Sequence, residues 1–272
     1  MRYLIGMICV CSLGVLPILG CSETTGDGGA GGDGGTGGAA GTGGSAGNGG
    51  AGGESRSYSI IFSESNPDGS VTGLEGVEFC EADTDNCDLS NASGLAIVNV
   101  AVDQEIQFTI EKQGYGKWLM ADVSDEDAEV STTRRMYTDA QLEAVAAQLN
   151  AAYPWTGGIV GLVINPSEVA GLTLAPAGST IGEVGESFYY DSATEEYSVD
   201  LQAGTAVETN WYLPLGAGGF TEVTPGVQQF EFGGTAGNCV ASWAWPGDTA
   251  NTIRVPVREG YRTYGSMICT AQ

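Results

Sequence analysis

The tract from Gly26 to Gly53 limits most severely what this chain can fold into. Of its 28 positions, 17 are Gly, and the rest are mostly Ala, Thr, Ser, Asp and Asn. Such a segment has almost nothing apolar to bury and cannot repay the entropy of ordering. It lacks the strict G-x-y period and the Pro content of a collagen helix, so a triple helix is excluded. Residues 21–56 are therefore expected to be a disordered, Gly-rich tether. A flexible coil of ~35 residues spans roughly 30–35 Å, enough to hold a body clear of a surface. Any packed core must come from the residues after it. At about 150 residues per domain, the 272-residue chain has room for one large domain or two small ones.

Before the tether, residues 1–20 have the plan of an export signal. Arg2 supplies the positive charge, and an apolar stretch runs from Leu4 to Leu16. It falls short of the 20 or so apolar residues that a spanning helix needs, so a removable secretory signal fits better. The signal ends Ile18-Leu19-Gly20-Cys21, which resembles the lipobox of bacterial lipoproteins, with Leu19 bulkier than the residue usual there. The resemblance implies cleavage before Cys21 and a lipid on that cysteine, holding the chain on a membrane. Ser22 stands where lipoproteins retained in the inner membrane often carry Asp, which implies the outer membrane. The other reading is a secretory signal without a lipid.

Charge and composition remove several function classes. Acidic residues number 34 against 9 basic, a formal charge of -25. That balance excludes a nucleic-acid partner bound by neutralising phosphates, and docking on anionic lipids through a basic face. The chain has no His, which rules out Ser-His-Asp and Cys-His nucleophiles and the commonest metal ligand. There is no phosphate-binding G-x-x-x-x-G-K-[ST] motif. Beyond the signal and Cys21, four cysteines remain, and an even number in an exported chain reads as disulfides. Of three pairings, Cys80–Cys87 with Cys239–Cys269 is expected, because each pair falls within one module. No C-x2-C pair remains for a structural metal.

The body reads as all-β. Runs rich in Val, Ile, Phe and Thr cover 58–62, 77–81, 95–102, 105–112 and 117–123, separated by turn residues such as Asn66-Pro67-Asp68-Gly69. Ile106 to Ile110 alternates as a half-buried strand should. One helix interrupts the strands. Thr138 and Gln141 form a capping box, and Leu142, Val145, Ala146, Leu149 and Tyr153 make one apolar stripe that Pro154 stops. Strands resume at 158–164, 171–174, 188–190, 197–201, 209–213, 227–232, 239–245, 252–257 and 261–269. The expected organisation is two tandem Ig-like or transthyretin-like β-sandwich modules, 57–137 and 156–272, joined by a connecting helix at 138–155.

Two stretches share a pattern of Gly, strand, short turn and strand. The first runs from Gly94 through Val100 and from Glu105 to Lys112, followed by Gly114-Tyr115. The second runs from Gly219 to Val223, turns at Pro225-Gly226, and continues from Val227 to Phe232. The pair resembles the carboxypeptidase regulatory-like family, a transthyretin-like sandwich of secreted and surface proteins. The first copy has Val102-Asp103 in place of Pro-Gly, and the second lacks an immediate Gly-Tyr. The resemblance implies an accessory β-sandwich that brings no catalytic residues with it.

Candidate sites are few. Asp83, Asp85 and Asp88, in and beside the Cys80–Cys87 loop, are candidate calcium ligands, although the loop lacks the Gly and terminal Glu of an EF-hand. The other reading is a solvated acidic loop. Trp243 and Trp245 would share one face of a strand, as a sandwich core or as a stacking platform for a sugar or protein. The expected function is a non-catalytic, lipid-anchored envelope protein whose modules bind or space a protein or glycan partner. The alternative is an exported glycosidase-like hydrolase using a carboxylate pair, for which Asp191, Glu195 and Glu196 are available.

Overall fold

The computed structural model describes residues 54–65, 70–124, 130–165, 170–178, 182, 184–205 and 213–270. The signal, Cys21 and the glycine tether lie outside the described residues, as does most of the 209–213 strand. Residues 50–272 form one compact unit. Among the described residues no helix is long and apolar enough to cross a membrane.

The first half of the body supplies eight strands: β1 (Ser55–Ser65), β2 (Val71–Gly73), β3 (Glu78–Glu81), β4 (Cys87–Leu89), β5 (Leu95–Ala101), β6 (Gln104–Glu111), β7 (Trp118–Ser124) and β8 (Val130–Arg135). Helix α1 (Asp139–Gln148) follows. The second half adds β9 (Gly158–Asn165), β10 (Leu172–Pro176), β11 (Ser187–Asp191), β12 (Glu196–Ser198), β13 (Gly218–Val223), β14 (Gly226–Gly234), β15 (Asn238–Ala241), β16 (Trp245–Pro246), β17 (Thr252–Val257) and β18 (Arg262–Thr270). They form a large sheet in the order β12-β11-β13-β9-β18-β7-β6-β3-β4, with β15 also on β18, and two four-stranded sheets, β2-β1-β5 with β8 on β1, and β10-β14-β17-β16.

The chain is all-β apart from α1, but the two modules expected from sequence do not stand apart. Strand β18 lies between β7 of the first half and β9 of the second, parallel to both. The large sheet therefore runs through the boundary that the sequence suggested at 138–155. The composition of β9 explains how it serves as an interior strand. Its unbroken apolar run is what a strand buried on both faces requires. Val160 and Leu162 join the core beneath the β10–β14–β17 sheet, with Phe220, Phe230, Phe232, Ile253 and Val255. Ile159 and Val163 point the other way. Val163 meets the core of Tyr58, Ile60, Phe62, Phe108 and Met120 under the β1 sheet, and Ile159 meets α1.

Each Gly–strand–turn–strand unit carries the chain from one sheet to another. Strand β5 pairs with β1 in a small sheet and β6 pairs with β3 and β7 in the large one, while β13 and β14 separate in the same way. Gly94 is fixed by geometry: it has φ +86°, and a Cβ there would lie 2.1 Å from the Phe62 carbonyl oxygen.

The helix begins where its capping box places it, with Thr138 and Gln141 bonded reciprocally. Its end differs from the sequence reading. Asn150 adopts φ +51°, Asn150 N–H donates to Ala147 O and Ala151 N–H donates to Ala146 O. This Schellman arrangement closes the helix at Leu149, before Pro154 can act. Leu142, Val145, Ala146 and Leu149 pack against Ile159, Phe188 and Leu215 of the second half.

Candidate functional site

Three connections meet at one end of the large sheet and enclose a cleft of about 1000 Å³. The β6–β7 turn contributes Lys112, Gly114, Tyr115 and Lys117. The region around α1 contributes Asp139, Tyr153, Pro154 and Trp155, and the β17–β18 turn contributes Glu259 and Gly260. Glu78, Leu89 and Glu111 close the side formed by β3, β4 and β6. Backbone bonds tie these connections together. Gly116 N–H donates to Tyr137 O at 3.0 Å, Asp139 N–H to Gly114 O at 3.0 Å and Gly260 N–H to Gly157 O at 3.2 Å.

The chemistry of the cleft is mixed. Both lysines of the chain line it, against four carboxylates: Glu78, Glu111, Asp139 and Glu259. Lys117 pairs with Glu111 at 2.9 Å, and Lys112 Nζ donates to Glu75 O at 2.7 Å. Three tyrosines around the cleft donate their hydroxyls to carboxylates: Tyr153 to Asp139 at 2.5 Å, Tyr261 to Glu111, and Tyr115 to Glu64. Burial and its carboxylate partner push the Tyr115 hydroxyl up to about 12, and the same two causes raise Tyr153 and Tyr261. Burial works to raise Glu111, but the Tyr261 hydrogen bond and Lys117 outweigh it and hold its carboxyl below the usual range. Tyr115 and Tyr153 line the cleft with their hydroxyls already engaged, and the carboxylates and ammonium groups beside them offer acceptors and donors at the same surface.

The candidate residues chosen from sequence lie elsewhere. Both disulfides are formed, and each joins residues directly opposite on paired strands, β3 with β4 and β15 with β18. The proposed calcium ligands are not brought together. Asp83 is ion-paired with Arg258 at 2.5 Å, and Asp88 accepts the backbone N–H groups of Leu89 and Ile97 at 2.9 and 2.7 Å. Asp83 and Asp88 thus bind the turn to its neighbours. Among the described residues, the group with ligand-like spacing is Glu78, Cys80 and Cys87, whose sulfurs are joined to each other and offer no thiolate.

The two tryptophans do not form a shared exposed row. The chain bends at 242–244, which ends the alternation a continuous strand would give. Trp245 is 7% exposed, and its Nε1 donates to the carbonyls of Ile106 and Asp122 at 3.0 and 3.1 Å. Trp243 packs edge-on to Tyr58, with the Arg134 guanidinium 4.4 Å from its ring centroid. Trp245 is core, as the first of the two sequence readings has it, and Trp243 is half-buried against the Tyr58 cluster, so the two rings make no common platform. Asp191 also has a structural duty, its Oδ1 accepting Ala193 N–H and Thr205 Oγ1–H in the β11–β12 turn. The cleft itself was missed from sequence because its residues come from separate connections. The local signal available was Lys112-Gln113-Gly114-Tyr115-Gly116-Lys117, which concentrates both lysines around a Gly-Tyr turn.

No protein-family model matches the chain, and no curated protein does. Solved structures that align with parts of the chain include the Bacillus anthracis TIE protein, with 8% identity, a TM-score of 0.24, and 80% of this chain aligned to 34% of that one. A streptococcal ancillary pilin has 9% identity and a TM-score of 0.23, with 80% of this chain aligned to 63% of that one. A variant of the shaft pilin SpaA from Lactobacillus rhamnosus GG has 10% identity and a TM-score of 0.24, with coverages of 80% and 99%. The chain thus spans about a third of the first structure and less than two thirds of the second. Scores of this size do not place it in a family.

Proposed function

We propose that the chain is an exported, lipid-anchored envelope protein whose β body binds a hydroxyl-rich glycan in the cleft without transforming it. The observation that carries this reading is the cleft of about 1000 Å³, where Tyr115 and Tyr153 stand among four carboxylates and both lysines. Sugar rings pack their C–H faces on aromatic rings, and their hydroxyls bond to carboxylates and ammonium groups at once. The overall charge of -25 disfavours a polyanion, so the ligand is a neutral or aminated glycan. The lipobox-like Ile18 to Cys21 and the glycine tract supply anchor and reach, and the absence of His is consistent with binding rather than acyl transfer.

The test is binding of the full-length chain to a panel of neutral, aminated and acidic glycans, followed by calorimetry on the tightest ligand. Tyr153→Ala and Lys117→Ala should each weaken binding by about tenfold, the size expected for one well-made contact. Binding confined to acidic glycans, or unaffected by either substitution, would refute the cleft reading. Release of new reducing ends during the same incubations, abolished in Glu111→Gln, would establish the hydrolase alternative instead. Loss of incorporated lipid in Cys21→Ser checks the anchor.

A further inference from the structure

Two glutamates stand directly opposite each other on one wall of the cleft. The pairing of β3 with β6 sets Glu78 beside Glu111, and the pairing of β3 with β4 sets Leu89 on the other side of Glu78. All three residues line the cleft. Side chains so placed have their Cβ atoms about 5 Å apart, and like charges there repel and destabilise the sheet. Glu111 has partners in Lys117 at 2.9 Å and the Tyr261 hydroxyl. Against the opposing effect of burial, they hold its carboxyl below the usual range, so it stays ionised. Glu78 is exposed and has no hydrogen-bond or ion-pair partner among the described residues. Leu89, its other neighbour, brings no side-chain donor.

The rest of the lining leaves that charge unbalanced. Four carboxylates face two ammonium groups, an excess of two negative charges. Lys117 is taken by Glu111, Lys112 Nζ donates to Glu75 O at 2.7 Å, and Asp139 receives the Tyr153 hydroxyl. The excess therefore sits on Glu78 and on Glu259, which is also exposed and without a partner among the described residues. A ligand that carries a positive charge relieves the repulsion between Glu78 and Glu111, and the same ligand without the charge does not. We propose that the cleft selects aminated sugars over neutral ones, with Glu78 as the acceptor for the ligand's ammonium group. The proposal rests on the glycan reading of the cleft and fixes the charge of its ligand. An ammonium group brings three donors, and Leu89 beside Glu78 supplies apolar surface for the C–H groups of the ring that carries it. Glu78 thus lowers the stability of the free protein and raises the affinity of the cleft, a trade usual at functional sites.

The experiment is calorimetry on the full-length chain with two probes, a glucosamine tetramer with its amines protonated and the N-acetylated tetramer of the same linkage. The two differ in charge at the nitrogen and share the rest of the ring. The aminated tetramer should bind about tenfold tighter, and the margin should shrink as salt is added. Glu78→Gln keeps the size of the side chain and removes its charge. It should cut the margin by about fivefold, the upper end for one exposed ion pair, and leave the affinity for the N-acetylated tetramer unchanged. The same variant should raise the thermal midpoint of the unliganded chain, a gain that a glutamate with a structural duty would not give. Equal affinity for the two tetramers, a margin that survives Glu78→Gln, or a lowered midpoint in that variant would overturn the proposal and leave the glycan reading standing. Binding of neither tetramer would overturn both.

Discussion

Removing the two disulfides one at a time should destabilise the body unequally and in a single transition. The perturbations are paired substitutions, Cys80→Ala with Cys87→Ala, and Cys239→Ala with Cys269→Ala. The bridges close sequence separations of 7 and 30 residues. In the chain-entropy description the penalty that a bridge imposes on the denatured state grows with the logarithm of that separation. It amounts to about 2.4 kcal/mol for the short loop and about 3.6 kcal/mol for the long one. Burial widens the gap, because Cys239 and Cys269 are 9% and 6% exposed within the core under the β14 sheet, whereas Cys87 is exposed. With a urea dependence of about 2.5 kcal/mol/M, the denaturation midpoint should fall by about 1.0 M for the first pair and about 1.4 M for the second. Tryptophan fluorescence and far-ultraviolet circular dichroism should report one coincident transition in each variant, because β18 joins both halves in the large sheet. A larger loss from the short bridge would refute the entropic reasoning. Two separated transitions, one shifted by each pair, would show that the halves unfold independently despite their shared sheet.

Two further outcomes follow from the side chains described. Tyr115, Tyr153 and Tyr261 have hydroxyl pKa values raised in the folded state, by burial first and by carboxylate partners second, so the unfolded chain loses these protons at lower pH. Their contribution is complete below the ordinary tyrosine value near 10 and is lost as pH rises towards the folded values, about 12 for Tyr115. Absorbance of phenolate during an alkaline titration should therefore rise steeply with unfolding, and a gradual titration near pH 10 in the still-folded protein would contradict the three pairs. Trp245→Phe removes the N–H shared between Ile106 O and Asp122 O and should cost about 1 kcal/mol in urea denaturation while leaving glycan binding unchanged. Loss of binding in that folded variant would restore the platform reading.

What could be read from the sequence was local. The capping box at Thr138, the alternation of Ile106 to Ile110 and the pairing of four cysteines each depend on residues close in the chain or on counting. Strand β8 was missed because Ser131-Thr132-Thr133-Arg134-Arg135 has no apolar alternation. It is a strand because Tyr58 to Ser63 offers it a parallel partner some 70 residues away. The same blindness hid the cleft, whose rings and charges converge only when three connections meet. The tryptophans pack into or against the core as one sequence reading expects, but the shared face expected of them is absent for a related reason. A Trp-Ala-Trp sequence shares a face only while the backbone stays extended, and the bend at 242–244 breaks that condition.

The seam between the halves shows why the module boundary could not be read. A helix between two groups of strands looks like a linker, and α1 connects β8 to β9 in just that position. Its apolar stripe, however, packs on Ile159, Phe188 and Leu215, so it covers the sheet rather than separating two bodies. The strand that joins the halves, β18, comes last and pairs in parallel on both sides, a pattern that leaves no hairpin signature. What did mark β18 was its chemistry. Arg262-Thr263-Tyr264 places a guanidinium and a phenol inside a run of buried residues, and an arginine 1% exposed needs compensation from groups distant in sequence. Trp118 and Tyr137 come from the first half and Pro214 from the second. The residue least comfortable inside an isolated sandwich is thus the one whose partners span both halves. A chain cut at the helix would leave that arginine without half of its surroundings, so the seam gives a physical reason for the 223 residues from 50 to 272 to fold as one unit.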